Sequence, residues 1–290
     1  MHSIENSVLK VSAREYGAEL ISVFDKRTGI EHLWQADEKF WGWYAPVLFP
    51  VVGRCLNDEV TIDARKYAME KHGFARKSNF GLLELSDLKM VFMLQSNDLT
   101  KKLYPFDFEF LIAYQLKQHS LVCSYEVINK SGRTMPFQLG GHPAFAVPFY
   151  ANEKYEDYYI EFEQAEDLVR HYINSEGFFD GRTEAVLSGT NKLPLSKNMF
   201  ANDAYIFKNL QSRAVTLKSD KHGQWLKVSF PQFNYLGLWA KPGAPYVCIE
   251  PWLGCADTAG KAVEFSEREA VQSLPAGETF GCSIVFEVEN

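Results

Sequence analysis

The feature that most constrains this fold is the alternation of apolar and polar residues in many short segments. From 106 to 116 every second residue is apolar, and the run 121–127 repeats the pattern after the polar residues 117–120. Shorter alternating segments lie at 90–94, 215–217, 226–230 and 284–288. Because side chains alternate across a strand, these segments predict β-strands with one buried face, and residues 117–120 predict the turn of a hairpin.

Helical periodicity is scarce in comparison. Short helices are predicted only within 34–44 and near 266–274. A chain of 290 residues is long enough for two domains, but no linker-like break and no repeat of fixed period divides it. The sequence therefore predicts one all-β domain over residues 1–290, built as a large antiparallel sandwich or barrel.

The charge balance excludes some classes of partner. Lys and Arg number 30 against 37 Asp and Glu, a net charge of −7, and no long basic run is present. Nucleic acid binding requires clustered positive charge, so no nucleic acid partner is expected. The N-terminus lacks a secretory pattern, and no apolar run approaches the roughly 20 residues that span a bilayer. We therefore expect a cytoplasmic protein with no membrane partner.

The cysteine pattern and the absence of nucleotide-binding motifs argue against a cofactor. The five cysteines are scattered and form no Cys-x-x-Cys pair, which argues against disulfides and structural zinc. Cys123 and Cys282 lie in strand patterns and are predicted to be core residues. No Gly-x-Ser-x-Gly elbow and no phosphate-binding glycine loop is present, so neither a serine hydrolase nor a nucleotide cofactor is supported. We expect no cofactor.

Three residues are candidates for chemistry. His142 follows two glycines and precedes a proline, a context that holds it in a loop, where it is either a functional group or a structural turn residue. His72, in His-Gly-Phe-Ala-Arg, has the same two interpretations. Glu250 follows an apolar run and precedes Pro-Trp, so it is either a partly desolvated base at a strand end or an ordinary surface carboxylate.

A histidine and a carboxylate can share acid and base roles in catalysis. The competing interpretation is a metal site formed by His72 and His142 with Glu250 or Asp257. No His-Glu-x-x-His or other tight ligand spacing supports that interpretation, so no metal is expected.

Taken in order, several segments resemble the aldose 1-epimerase (galactose mutarotase-like) family, and most closely its LacX-like bacterial branch. The likeness covers nearly the whole chain, and its matching segments are Phe49–Arg54, His72–Arg76, 104–106, Gly140–Phe145, 202–207, Ile249–Asp257 and 274–278. The resemblance implies a large antiparallel β supersandwich, in agreement with the period-two pattern. It also implies an isomerase that interconverts the α and β anomers of a hexose without a cofactor.

The resemblance further implies roles for individual residues. Glu250 matches the general base that takes the proton from the C1 hydroxyl, and His142 matches the general acid that protonates the ring oxygen. Arg54, His72 and Asp203 match residues that hold the substrate. Trp41, Trp239, Trp252 and Phe145 are aromatic residues that either stack on a sugar face or belong to the core.

The substrate stays open between a free aldose and a sugar phosphate, with the free aldose ranked first. The motif Glu-Pro-Trp departs from the Glu-Thr-Gln type, and related hexose-6-phosphate mutarotases also carry His-Gly-Phe-Ala-Arg. Arg54 and Arg76 would either bind a phosphate as guanidinium forks or pair with local carboxylates. A non-catalytic carbohydrate-binding protein is the further alternative, and a monomer or homodimer is expected.

Overall fold

The computed structural model describes residues 1–289, which form 23 strands, one short α-helix and several 3-10 turns. The helix, α1, spans Asp98–Leu103. In chain order the strands are β1 His2–Glu5, β2 Leu9–Ala13, β3 Leu20–Asp25, β4 Ile30–Glu31, β5 Val47–Leu48, β6 Glu59–Ile62, β7 Arg65–Ala68, β8 Gly81–Leu85, β9 Lys89–Gln95, β10 Phe108–Lys117, β11 Ser120–Asn129, β12 Met135–Phe137, β13 Leu139–Gly141, β14 Ala144–Ala146, β15 Tyr158–Ile173, β16 Phe179–Pro194, β17 Tyr205–Lys208, β18 Ala214–Ser219, β19 Trp225–Ser229, β20 Tyr235–Trp239, β21 Tyr246–Leu253, β22 Gln272–Leu274 and β23 Thr279–Val288.

The strands form one dominant sheet and three small ones. The dominant sheet has 15 strands and runs β5-β13-β21-β20-β17-β15-β18-β19-β23-β11-β10-β9-β8, with β14 paired to β21 and β16 paired to β15. The strands β1–β4 form a separate four-stranded sheet, and β6-β7 and β12-β22 form two-stranded sheets. The prediction of a large antiparallel β supersandwich is confirmed.

The predicted hairpin is present as β10 and β11, which pair from Lys117 opposite Ser120 to Phe108 opposite Asn129. Residues of both strands alternate between buried and more exposed positions. The predicted strands near residues 90, 216, 227 and 286 correspond to β9, β18, β19 and β23. The hydrophobic period therefore predicted these elements correctly.

The helix predictions were less successful. Residues 34–44 form turns and no helix, because the Asp37 carboxylate accepts from the backbone N–H of Lys39 and Ala36 has a positive φ of 53°. Residues 266–274 contain only the end of the 3-10 turn Phe265–Glu267, followed by β22. Helix α1 was not predicted, although Asn97 forms a capping box with Thr100 at its start.

The core is rich in aromatic side chains. Phe49 is fully buried, and its ring contacts five other aromatic rings, those of Phe74, Tyr104, Phe108, Phe110 and Phe137. All five cysteines are buried with free thiols, and Cys123 and Cys282 lie in the core as predicted. Within residues 1–289, no helix is long and apolar enough to cross a lipid bilayer.

Strand register brings two distant segments together. On β21, Trp252 pairs with Gly140 of β13, and Cys248 pairs with Ala144 of β14. In both antiparallel pairs the residue numbers have the same sum, so the break between β13 and β14 places His142 opposite Glu250. The sheet itself therefore aligns the histidine and the carboxylate.

Candidate active site

The His142–Glu250 pair lines a cavity of about 150 Å³. The Nε2 atom of His142 is 3.1 Å from Oε2 of Glu250, and both side chains are almost fully buried. Glu250 lies in the middle of β21, so the prediction that it ends a strand was wrong, although its partial desolvation was correctly anticipated. His142 lies in the predicted break after two glycines, and its backbone N–H donates to the carbonyl of Pro46.

Burial shifts both groups toward their neutral forms. It raises the pKa of Glu250 well above its usual range, and the nearby positive charge of Lys71 opposes that shift. It lowers the pKa of His142 to about 3, and Lys71 adds to the lowering. At pH values between these two pKa values the pair therefore holds one proton between its two groups. A singly protonated pair offers one acid and one base at adjacent positions.

His72 is held in a fixed orientation beside this pair. Its Nδ1 atom accepts the backbone N–H of Gly53 at 3.1 Å, which leaves Nε2 as the protonated nitrogen of the neutral ring. Burial, together with the charge of Lys71, lowers the pKa of His72 well below its usual value. The ring lies edge-on to His142 with centroids 5.7 Å apart. His72 therefore presents a neutral N–H donor rather than a positive charge.

The backbone around His72 explains its glycine neighbours. His72 has a φ of 67°, Gly73 a φ of 71° and Gly53 a φ of 72°. A Cβ atom at Gly73 would lie 2.2 Å from the carbonyl oxygen of Phe49, and one at Gly53 would lie 2.6 Å from Ala256. Only glycine allows this close approach of the two loops, which fixes the position of the His72 ring.

Asp203 reaches the same cavity from the turn before β17. It has a φ of 68°, and its Oδ1 accepts the backbone N–H of Ala204. The guanidinium of Arg170 donates to the carbonyls of Asn202, Asp203 and Ala204 and holds this turn in place. Arg170 is 2% exposed and lies between the rings of Tyr172 and Tyr205, at 4.2 and 4.0 Å from their centroids.

Three tryptophans form the apolar walls of the cavity. Trp41 stacks on the His142 ring with centroids 4.8 Å apart, and Trp239 meets it edge-on at 6.0 Å. The Trp252 ring covers two glycines of the neighbouring strands, where an added Cβ would lie 2.6 Å (Gly140) or 2.7 Å (Gly237) from it. The fourth aromatic candidate, Phe145, is fully buried and packs against Phe286 in the core.

The two arginine candidates are separated. Arg76 lines the cavity, and its Nη2 donates to the Lys71 carbonyl, while its guanidinium lies over the Trp43 ring. Arg54 lies outside this cavity, in an adjoining one. Its guanidinium forms two 2.8 Å contacts with Asp58 and donates to the backbone carbonyl of Glu176. The structure thus groups His72, Arg76, His142, Asp203 and Glu250 around one cavity, with Arg54 at its approach.

Several polar atoms of the residues that line this site lack partners within residues 1–289. They are Nδ1 of His142, Oε2 of Glu250 and Nε of Arg76. His142 and Glu250 are close in space, but their separation lacks hydrogen-bond geometry. Buried polar groups are nearly always paired, so an unpaired set around a cavity points to a polar ligand.

The metal interpretation fits this arrangement poorly. Asp257 is outside the cavity, where its carboxylate accepts the N–H of Leu56 and pairs with Arg268. The ligand atoms of His142, Cys248 and Glu250 lie within 4.8 Å of one another. Burial and the nearby Glu250 raise the pKa of Cys248 well above its usual value, so this sulfur is a protonated thiol and not a thiolate ligand.

Sequence reasoning missed two residues that shape the site. Lys71 is exposed at the mouth of the cavity, and its positive charge acts on His72, His142 and Glu250. Its position directly before His72 was an available signal. Arg170 gave no such signal, because it lies within a strand pattern and is far from Asp203 in the sequence. Only the folded chain brings the two residues into contact.

Comparisons with known proteins identify the family. The sequence model of the family described as aldose 1-epimerase matches residues 1–280. The plasmid-encoded protein LacX of Lactococcus lactis subsp. lactis is 34% identical over 260 residues, which cover 87% of each chain. This chain belongs to the aldose 1-epimerase family.

Solved structures agree with this assignment. A galactose mutarotase related enzyme from Lactobacillus acidophilus has a TM-score of 0.94 and 34% identity, covering 100% of this chain and 97% of its own. A galactose mutarotase-like protein from Lactobacillus casei has a TM-score of 0.93 and 32% identity, covering 100% of both chains. Family membership and fold together support an isomerase that acts on a sugar.

Proposed function

We propose that this protein is a cofactor-free mutarotase that interconverts the α and β anomers of a neutral hexose at the His142–Glu250 pair. In the reactive form the single proton of the pair lies on His142, so ionised Glu250 takes the proton of the C1 hydroxyl while His142 protonates the ring oxygen. The C1–O5 bond breaks, and the open-chain aldehyde forms. Rotation about the C1–C2 bond and reversal of the proton transfers close the ring on the other face of the carbonyl.

The single observation that carries this proposal is the 3.1 Å separation of His142 Nε2 and Glu250 Oε2 in a buried cavity. The C1 hydroxyl oxygen and the ring oxygen are both bonded to C1, so the acid and the base must act at neighbouring points. A pair with one proton can serve both functions once that proton lies on His142 and leaves Glu250 ionised.

The remaining residues would bind and orient the sugar. His72 offers an N–H donor, Asp203 offers carboxylate oxygens, and Arg76 offers guanidinium donors. The tryptophan walls match the apolar face of a pyranose ring. Arg54 contributes at the approach to the cavity and not beside C1.

The electrostatics favour a neutral hexose over a sugar phosphate. The Arg54 fork is already occupied by the carboxylate of Asp58, and one guanidinium N–H of Arg76 is committed to a backbone carbonyl. A phosphate would have to displace the Asp58 contacts to gain the same geometry at Arg54. Recognition of the sugar hydroxyls requires no such displacement.

Polarimetry after dissolving a pure anomer tests the proposal. A panel of free aldoses and hexose 6-phosphates is followed with and without the protein. We expect at least one free aldose to equilibrate faster than in buffer, and His142→Asn to remove the acceleration. Sugar binding without accelerated equilibration would contradict the proposal and identify a carbohydrate-binding protein instead.

A further inference from the structure

A second, larger cavity opens beside the proposed catalytic cavity. Its volume is about 640 Å³, against about 150 Å³ for the catalytic one. Lys71, Gly177 and Asp203 line both, so the two spaces adjoin. Ligand pockets usually measure about 300–1,000 Å³, so the outer cavity is large enough for a ligand portion bigger than the inner one accepts.

The walls of the outer cavity come from separate parts of the chain. One wall is formed by the end of β7 and the residues that follow it, Ala68–Lys71. The loop Ser175–Gly177 and Leu103 at the end of α1 also line it. Lys71 and Gly177 also line the catalytic cavity, but the other residues of these two segments line only the outer one. The outer cavity is therefore an adjoining space with walls of its own.

The charges of the outer cavity disfavour an anion. Its lining has two cationic side chains, Arg54 and Lys71, and four carboxylates, those of Asp58, Glu70, Glu176 and Asp203. Arg54 is bound to Asp58, and Glu70 is paired with Lys77. A phosphate dianion would meet a net negative lining and no free guanidinium fork.

The same lining suits a neutral ring with hydroxyl groups. Within residues 1–289, the side chains of Lys71 and Glu176 take part in no ion pair, so they remain available to a ligand as donor and acceptor. Met69, Phe74 and Leu103 add apolar surface. A pyranose has polar edges and apolar faces, and this mixture of donors, acceptors and apolar side chains complements both.

We propose that the outer cavity is a binding site for a second sugar ring, so that the preferred substrate is the reducing end of a neutral oligosaccharide. This inference rests on the proposed function, because the reducing ring must occupy the catalytic cavity beside His142 and Glu250. The second ring then extends past Lys71 and Asp203 toward Ala68 and Glu176.

Calorimetric titration compares glucose with maltose, cellobiose, isomaltose and glucose 6-phosphate. All present the same reducing ring, and the disaccharides extend from O4 or O6. We expect at least one disaccharide to bind at least 10-fold more tightly than glucose. Equal affinities for all of these sugars, or tightest binding of glucose 6-phosphate, would overturn the inference.

Variants that fill the outer cavity test whether the tighter binding of disaccharides arises there. Ala68→Trp and Ser175→Trp place an indole in the outer cavity from two separate segments, and both positions are exposed, so the fold should tolerate them. Each should weaken disaccharide binding about 10-fold or more and leave glucose binding unchanged. Ala185→Trp on the exposed part of β16 is the matched control and should change neither. If the cavity variants bind disaccharides as wild type does, the second ring lies elsewhere.

Anomer exchange of the same sugars separates the two proposals. If glucose and the disaccharides undergo anomer exchange with the same kcat/KM, the second-ring site is refuted and the proposed mutarotase function stays intact. Binding of sugars with no exchange at all would refute the mutarotase function, while the affinity ratios would still decide whether the outer cavity holds a second ring.

Discussion

Glu250 is a carboxyl group that the fold holds in an environment unsuited to its charge. It is 2% exposed, its pKa is raised well above the usual 4.5 by burial, and the carboxylate of Asp203 adds to the rise. Between pH 4.5 and the raised pKa, ionisation favours only the unfolded chain, where the carboxyl group is in water. This residue therefore costs stability at neutral pH.

We predict that Glu250→Gln makes the protein more stable and abolishes anomer exchange. The neutral amide removes the cost of a buried ionisable group, and every tenfold difference between the folded and unfolded ionisation constants of Glu250 corresponds to about 1.4 kcal/mol. Thermal unfolding at pH 5 and pH 8 checks the sign of the stability change, because the stability gained by the variant over the wild type should grow with pH. A variant less stable than wild type at pH 8 would contradict this description of the site.

The pH dependence of kcat/KM follows from the same pair. The pair is active with one proton, so activity should fall in acid when both His142 and Glu250 are protonated, and in alkali when both have lost their protons. Because the pKa of His142 is lowered to about 3 and that of Glu250 is raised well above 4.5, the active plateau should be broad. Stopped-flow polarimetry across pH 4–10 would show it. An acid limb near the ordinary histidine value would argue that His142 is not part of the pair.

At the scale of secondary structure, the turn before β17 depends on a buried cation from another strand. Arg170 on β15 donates to three successive carbonyls of residues 202–204, and no carboxylate pairs with it among the described residues. Its guanidinium is stacked between two tyrosine rings, so its position is fixed on both faces. We therefore assign Arg170 as a positioning residue for Asp203.

We predict that Arg170→Met raises KM by about 10-fold and changes kcat much less. Loss of the hydrogen bonds should free the Asp203 turn, weakening sugar binding by about 1–1.5 kcal/mol while leaving the His142–Glu250 pair intact. Asp203→Asn should show the same split between KM and kcat. Arg182→Met is the control, because Arg182 is exposed and paired with Asp180 on β16. A purely structural role would lower the melting temperature and leave KM unchanged.

The strands were largely predictable from sequence, because alternation of apolar side chains directly reflects the two faces of a sheet. The hairpin β10-β11 and the strands around residues 90, 216 and 286 illustrate this. Residues 34–44 were not predictable in the same way, since the positive φ of Ala36 and the side-chain hydrogen bond of Asp37 there override helix propensity. His72 and His142 stood out because glycine and proline neighbours mark irregular backbone, whereas Glu250 stood out as a carboxylate directly after an apolar run.

The grouping of the site could not be predicted from local pattern. Arg54 and Arg76 looked equivalent in sequence, yet the fold places Arg54 against Asp58 in the outer cavity and Arg76 beside the pair. The separation of the two arginines depends on which loop packs against each of them. That packing is set by the pairing of strands that are distant in the sequence. The same is true of Arg170, whose partners are more than 30 residues away along the chain.

For the whole molecule, the larger of two hydrophobic clusters extends from β1 to β23, and the smaller one includes Trp252. We predict that the chain unfolds as one domain, with transitions by tryptophan fluorescence and far-ultraviolet circular dichroism that coincide. Phe49→Ala removes a ring that contacts five others, and it should lower the free energy of unfolding by about 3–5 kcal/mol. Leu83→Ala is the control at a side chain whose residue is 54% exposed, with an effect within about 0.5 kcal/mol. Two separated transitions would contradict the single-domain prediction.

The central claim is that a buried histidine and carboxylate catalyse anomer exchange, and two-dimensional exchange NMR of an equilibrated aldose tests it most directly. Cross-peaks between the α and β anomeric protons should appear with the wild type and vanish with Glu250→Gln. The control is Glu166→Gln, the same change at a buried carboxylate that instead accepts the backbone N–H of Ser212, and it should retain them. Undiminished cross-peaks with Glu250→Gln, or none with the wild type for any aldose, would contradict the claim.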